Sequence, residues 1–234
     1  MKRSLIIFIL ALSVVSSVYA LAQKPLYDTT GYLDKNRQNE TFFVPMKILY
    51  EDMLLPNGPN HIDTLFLTKY AKTLPASKIP YILDIEAWKI GPDVSDKTAN
   101  MHIDKYILVI ATMKKARPDL KFGYFGVLPV MDIIRPRLPT KQELSQWHHA
   151  NVRVSRLAPY VDVVTPTPYT FYNDLALWKH FASYQIQEAK MYGKPILSFL
   201  WPEFMDCTPF KGQFLPSKLW EEELMLAPMN KVMV

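Results

Sequence analysis

Apolar runs of strand length alternate with segments whose apolar residues recur every three or four positions along most of this chain. Residues 46–54 (MKILYEDML) predict a strand that ends in Tyr50, Glu51 and Asp52. In 60–74, Ile62, Phe66, Tyr70 and Leu74 fall at near-helical spacing before Pro75 stops the pattern. Residues 81–88 (YILDIEAW) form the next predicted strand, and Ser95 is placed to cap the helix after it. That helix has an apolar face of Ile103, Tyr106, Ile107, Ile110 and Met113 and ends near Pro118.

Residues 121–129 (KFGYFGVLP) predict a third strand. Thr140 and Glu143 then match a capping box, in which hydroxyl and carboxylate satisfy each other's orphan amides, ahead of Leu144, Trp147, Val154 and Leu157. Residues 160–172 predict a fourth strand, and Asn173 is the expected cap of a helix running to about Tyr192, with Gly193 as its stop. Residues 194–204 predict a fifth strand, and Ser217 opens a last helix carrying Leu219, Leu224 and Met225. Each strand is followed by a helix, which implies a parallel sheet, either doubly wound or closed into a barrel.

The strand ends separate these two. No Gly-rich phosphate turn follows the first strand, which weighs against a nucleotide-binding sheet. Polar and aromatic residues collect instead where the strands finish: Glu51 and Asp52, Asp84 and Glu86, Tyr124, Thr167 and Tyr169, Trp201 and Glu203. In a parallel barrel that end is the mouth where substrate binds. The expected fold is therefore α/β, a TIM-type (β/α) barrel of parallel strands.

Composition changes this picture mainly at the N-terminus. Lys2 and Arg3 precede an apolar run from Leu5 to Val15 and then small residues, the order of a secretory signal peptide. That run is shorter than the roughly 20 residues a membrane span needs. We expect residues 1–22 to be a signal peptide, 23–234 to be a single barrel domain, and the protein to be secreted or periplasmic, with no membrane association beyond the leader. Without Lys2 and Arg3 the 27 basic residues fall to 25, against 22 acidic ones, and no dense Lys/Arg run exists. Nucleic acid is thus a poor partner. Cys207 is the single cysteine, so the core must hold the fold without an internal disulfide. His148 and His149 are adjacent on a helix and do not share a face, so no metal or cofactor is expected.

Asp84 and Glu86 carry the candidate chemistry. Two carboxylates one residue apart on a strand point to the same face, about 6–7 Å apart along the chain. Acids at short range cannot both ionise freely, so one keeps its proton nearer neutral pH. Ordinary retaining glycosidases flank the bond with two acids at about 5 Å. One strand carrying both acids points instead to substrate-assisted hydrolysis, with Glu86 as proton donor and Asp84 orienting the N-acetyl group. The plainer reading makes Asp84 a turn cap and Glu86 a solvated strand-end residue. Tyr50, Trp88, Tyr124, Phe125, Tyr169, Tyr172 and Trp201 are all expected at one rim, where rings with polar tips stack on sugars.

The segments LDIEAW, FGYFGVLP, VTPTPYTF and ILSFLWPEF resemble, in order and rough spacing, those of the hyaluronidase family, glycoside hydrolase family 56. The resemblance spans roughly 46–204 and implies a (β/α) barrel with Glu86 as proton donor, Asp84 positioning the acetamide, Tyr169 hydrogen-bonding that region and Tyr124 in the substrate wall. Tyr50, Glu51, Trp88, Phe125, Trp201 and Glu203 complete the expected substrate-binding set. The implied partner is a polysaccharide containing N-acetylhexosamine, with peptidoglycan and chitin as open as hyaluronan. A non-catalytic carbohydrate-binding barrel and a lysozyme-like muramidase are the competing readings. Because the sequence stops in APMNKVMV, the closing strand is expected to be incomplete, as in a fragment, a rearranged barrel or one closed by a partner.

Overall fold

The computed structural model describes residues 26–28, 43–132, 139–226 and 232–233; the expected signal peptide lies outside them. Their strands are β1 (Leu26–Asp28), β2 (Phe43–Pro45), β3 (Ile48–Tyr50), β4 (Tyr81–Asp84), β5 (Phe122–Tyr124), β6 (Ser198–Phe199) and β7 (Val232–Met233). Their helices are α1 (Glu51–Leu54), α2 (Thr64–Thr73), α3 (Asp96–Ala116), α4 (Lys141–Val154), α5 (Leu175–Met191) and α6 (Ser217–Leu226), with a 3₁₀ segment at Ser155–Tyr160.

Short polar side chains set the helix starts. Asp63 accepts from the Phe66 amide, Ser95 from Thr98, and Asp174 from both Ala176 and Leu177. Thr140 and Glu143 make the full reciprocal capping box. Each such cap contributes about 1 kcal/mol. Asp174, not Asn173, is the cap of α5, and Gly193 ends that helix at φ 61°, a conformation without Cβ strain only for glycine.

Every strand pairing is parallel. One ladder runs β3–β4–β5, with Tyr50 opposite Asp84 and Leu83 opposite Tyr124. The other runs β2–β1–β7–β6. Residues 161–166 lie between the two: the Asp162 amide donates to the Phe122 carbonyl, Val164 bridges Ile196, and the Phe199 amide donates to the Pro166 carbonyl. Where the sequence pattern predicts a strand over 160–172, only the Val164 bridge forms, because Pro166 and Pro168 have no amide to give a ladder. The strand expected over 46–54 stops at Tyr50, since Glu51 and Asp52 open a helical turn whose N-terminus favours acids. The KVMV end contains β7, which pairs with β1 on one side and β6 on the other.

Side-chain alternation sorts the core into two layers. Leu83, Ile85, Phe122 and Tyr124 pack against Ile103, Tyr106 and Met113 of α3. Ile82 faces the other way and joins Met46, Val163, Leu197 and Phe199, with Phe125 and Tyr169 against them. The fully buried side chains among these contribute about 1.5–3 kcal/mol each. Gly123 lets the inner layer close, because a Cβ there would sit 2.6 Å from Val163 Cγ2. Asp162 ties β5 to α3, accepting from the Phe122 amide at 2.9 Å and from Lys114 Nζ at 2.8 Å. Among the described residues no helix is long and apolar enough to cross a membrane.

Candidate active site

β4 delivers the acids. Leu83 and Ile85 anchor its outer side in the helix-facing core, and Ile82 anchors its inner side. Period-two alternation therefore puts Asp84, the last strand position, on the inner side, with Glu86 two residues beyond in the same phase. Asp84 is half-buried and Glu86 exposed. Two cavities meet at Glu86. One of about 570 Å³ is bordered by Tyr50, Glu51, Asp52, Asp84 and Glu86. The other, of about 330 Å³, is bordered by Glu86, Trp88, Tyr106, Phe125, Gly126 and Met131.

The electrostatics single out Asp84. Its carboxyl is pushed up to about 6, first by burial and then by the charges of Glu86 and Glu51. Its Oδ1 is buried without a hydrogen-bond partner among the described residues. A carboxyl in that state has acceptor capacity to offer a ligand, and its protonation changes within the ordinary working range of an enzyme. Glu51 crosses from the end of β3: its Oε2 accepts from the backbone amides of Glu86 at 3.1 Å and Ala87 at 3.0 Å.

The aromatic residues divide. Tyr50 is exposed beside Asp84, its register partner. Phe125 and Tyr169 are half-buried on the inner side, with ring centroids 6.4 Å apart, and Phe125 also meets Phe199 edge-on at 4.9 Å. Burial and the charges of Asp84 and Glu86 raise the Tyr169 hydroxyl, which places that ring within electrostatic reach of the pair and keeps it a proton-bearing donor. Tyr124, expected at the rim, belongs to the core, whereas Trp88 is buried yet still borders the smaller cavity. Tyr124 is 1% exposed because it lies opposite Leu83 on the helix-facing side. Trp88 is 2% exposed, its Nε1 bonded to the Pro59 carbonyl and its ring 5.1 Å edge-on from Tyr106.

These buried rings support the acids from behind. The Tyr124 hydroxyl donates to the Tyr106 carbonyl at 2.9 Å. The Tyr106 hydroxyl reaches the carbonyls of Ile85 at 2.8 Å and Trp88 at 3.1 Å, on either side of Glu86. Sequence reading counted Tyr106 only as part of an apolar helix face; a tyrosine inside such a stripe, on the helix following the acid strand, is the signal available for it. Arg153 of α4 holds the next stretch, donating to the carbonyls of Ile90 at 2.7 Å and Gly91 at 3.0 Å and to Asp96 at 2.5 Å. Trp201 and Glu203 border neither cavity; Glu203 instead bridges Phe214. In the run Glu221-Glu222-Glu223 of α6, the third acid is fully buried and accepts from the Thr170 hydroxyl. Among the described residues no group of three or more His, Cys, Asp or Glu is arranged to hold a metal ion.

Parallel strands alternating with helices make a mixed α/β fold, with the acids at a strand end and a cavity beside them. That fold is similar to bee venom hyaluronidase. The crystal structure of that enzyme in complex with a hyaluronic acid tetramer matches with a TM-score of 0.60 at 13% identity, over 90% of each chain. Its monoclinic crystal form matches with a TM-score of 0.58 at 12% identity, again over 90% of each. No protein-family model and no curated protein matches the chain.

Proposed function

We propose that this protein is a glycoside hydrolase that cleaves β-linked N-acetylhexosamine polysaccharides with retention, the substrate's own acetamide acting as nucleophile. The observation that carries the reading is the inward-facing pair Asp84 and Glu86 at the end of β4, in a hyaluronidase-like fold. The β1–β7 and β1–β2 pairings, with β2 running into β3, support reading the two ladders as one closed barrel whose mouth holds the pair. The leader-like residues 1–22 support export of the protein.

In this scheme Glu86, protonated, gives its proton to the glycosidic oxygen as the C1–O bond breaks. The acetamide carbonyl oxygen attacks C1 and forms an oxazolinium ion. Asp84 accepts the acetamide N–H through its unpartnered oxygen and offsets the developing positive charge. The Tyr169 hydroxyl donates to the acetamide oxygen, while Tyr50 and Phe125 offer ring surface to the sugars. Water then opens the oxazolinium, and Glu86 takes its proton. Asp84 must be ionised while Glu86 holds its proton, so kcat/KM should follow a bell-shaped pH profile whose acid limb lies near 6.

The test is release of reducing ends from chitin oligosaccharides, hyaluronan and peptidoglycan by wild type and Glu86→Gln. Cleavage that Glu86→Gln loses supports the proposal. Binding of these polymers without turnover, unchanged in Glu86→Gln, supports a carbohydrate-binding barrel instead. Cleavage of peptidoglycan alone would favour a muramidase.

A further inference from the structure

Glu51 is the first residue of α1, directly after β3, yet its contacts lie just past the end of β4. One oxygen, Oε2, receives two consecutive backbone amides, those of Glu86 and Ala87, at 3.1 and 3.0 Å. These amides fall just past the last strand position of β4, where a ladder no longer holds them. The side chain spans 35 positions of sequence to reach them. On the opposite side, Tyr106 holds the carbonyls of Ile85 and Trp88. The backbone that carries Glu86 is therefore gripped from both sides, its carbonyls by a tyrosine and its amides by a carboxylate.

We propose that Glu51 is a positioning residue for the acid pair: by binding the amides of Glu86 and Ala87 it fixes where the Glu86 side chain enters the cleft. The proposal rests on the reading of Glu86 as the proton donor. Charge-assisted bonds from two amides to one carboxylate are stronger than neutral ones. They matter here because Glu86 itself is exposed, so burial does little to orient its side chain. Glu51 also borders the groove beside Asp84, and its charge is one of the causes that keep the Asp84 carboxyl raised. The other groups facing Asp84 are Tyr50, its register partner on β3, Asp52 of α1, Glu86 on its own segment, Tyr106 of α3 and Tyr169.

The experiment compares wild type, Glu51→Gln and Glu51→Ala by amide hydrogen exchange, by NMR titration of the Asp84 carboxyl, and by steady-state kinetics. Glu51→Ala should speed exchange at Glu86 and Ala87 about tenfold or more. It should lower kcat about 100-fold with KM little changed, the cost of a displaced catalytic group. Glu51→Gln retains an acceptor oxygen, so it should restore much of the amide protection and of kcat. Both variants remove a negative charge, so the Asp84 midpoint should fall below about 6 in each. Hydrolysis that depends on Glu86 but is untouched in Glu51→Ala, or unchanged exchange at both amides, overturns the positioning role and leaves the catalytic reading standing. A wild-type protein with no Glu86-dependent hydrolysis overturns both.

Discussion

Replacing Glu223 by Gln should make the protein more stable at alkaline pH and nearly neutral in effect at acid pH. Glu223 is fully buried in α6, with Oε1 accepting from Thr170 Oγ1 at 2.6 Å and Oε2 without a partner among the described residues. Burial pushes its carboxyl up to about 8 from an ordinary 4.5, although the Thr170 bond pulls it slightly back. Between those two pH values the folded chain holds a proton that the unfolded chain has released. Stability therefore declines as pH rises through this window and levels off above about 8. A displacement of that size corresponds to roughly 5 kcal/mol in total, of which about 2 kcal/mol falls between pH 6.5 and 8.5. Glutamine keeps an acceptor for Thr170 and carries no proton to lose. Urea unfolding at pH 5, 6.5 and 8.5 would measure the difference between wild type and Glu223→Gln. Asp84 titrates with the same sign but near 6, and it is present in both proteins, so it cancels. A wild-type minus variant difference that does not change between pH 6.5 and 8.5 would refute a buried, proton-holding Glu223.

Gly123→Ala should cost about 1–3 kcal/mol in thermal or urea unfolding, since the new methyl would meet Val163 Cγ2 at 2.6 Å and its carbonyl at 3.0 Å. Tyr106→Phe should cost about 1–3 kcal/mol by leaving the Ile85 and Trp88 carbonyls without their hydroxyl, while the Tyr124 bond to the residue's own backbone survives. It should also lower kcat, which turnover assays on a cleaved substrate would show. Arg153→Ala should lose about 2–4 kcal/mol, since it frees the Ile90 and Gly91 carbonyls and the Asp96 charge. Limited proteolysis should then cut near 90–91 first.

The sequence pattern carried the helix starts well because their signals are local. Ser95, Thr140 and Glu143 act on amides three residues away, and all cap as the spacing implies. Strand limits were less legible: prolines at 166, 168, 195 and 202 fit an apolar run by composition yet withhold the amides a ladder needs. The inward face of Asp84 and Glu86 follows from alternation with Ile82. The same parity sets Tyr124 apart from Phe125, but aromatic type alone suggested that both lined the rim. Glu51 was legible as an acid at a strand end, not as a clamp, because its partners lie 35 and 36 residues away. Glu223 could not be told from Glu221 and Glu222 without knowing that Thr170 lies beneath that side of α6.

The most direct test of the central claim follows the first product of chitin oligosaccharide cleavage by proton NMR, with wild type and Glu86→Gln side by side. The expected result is a β-anomer that forms first and then mutarotates in the wild-type reaction, with that signal absent or nearly so for Glu86→Gln. An α-anomer formed first, or equal product from both proteins, would contradict an acid pair working through the substrate's acetamide.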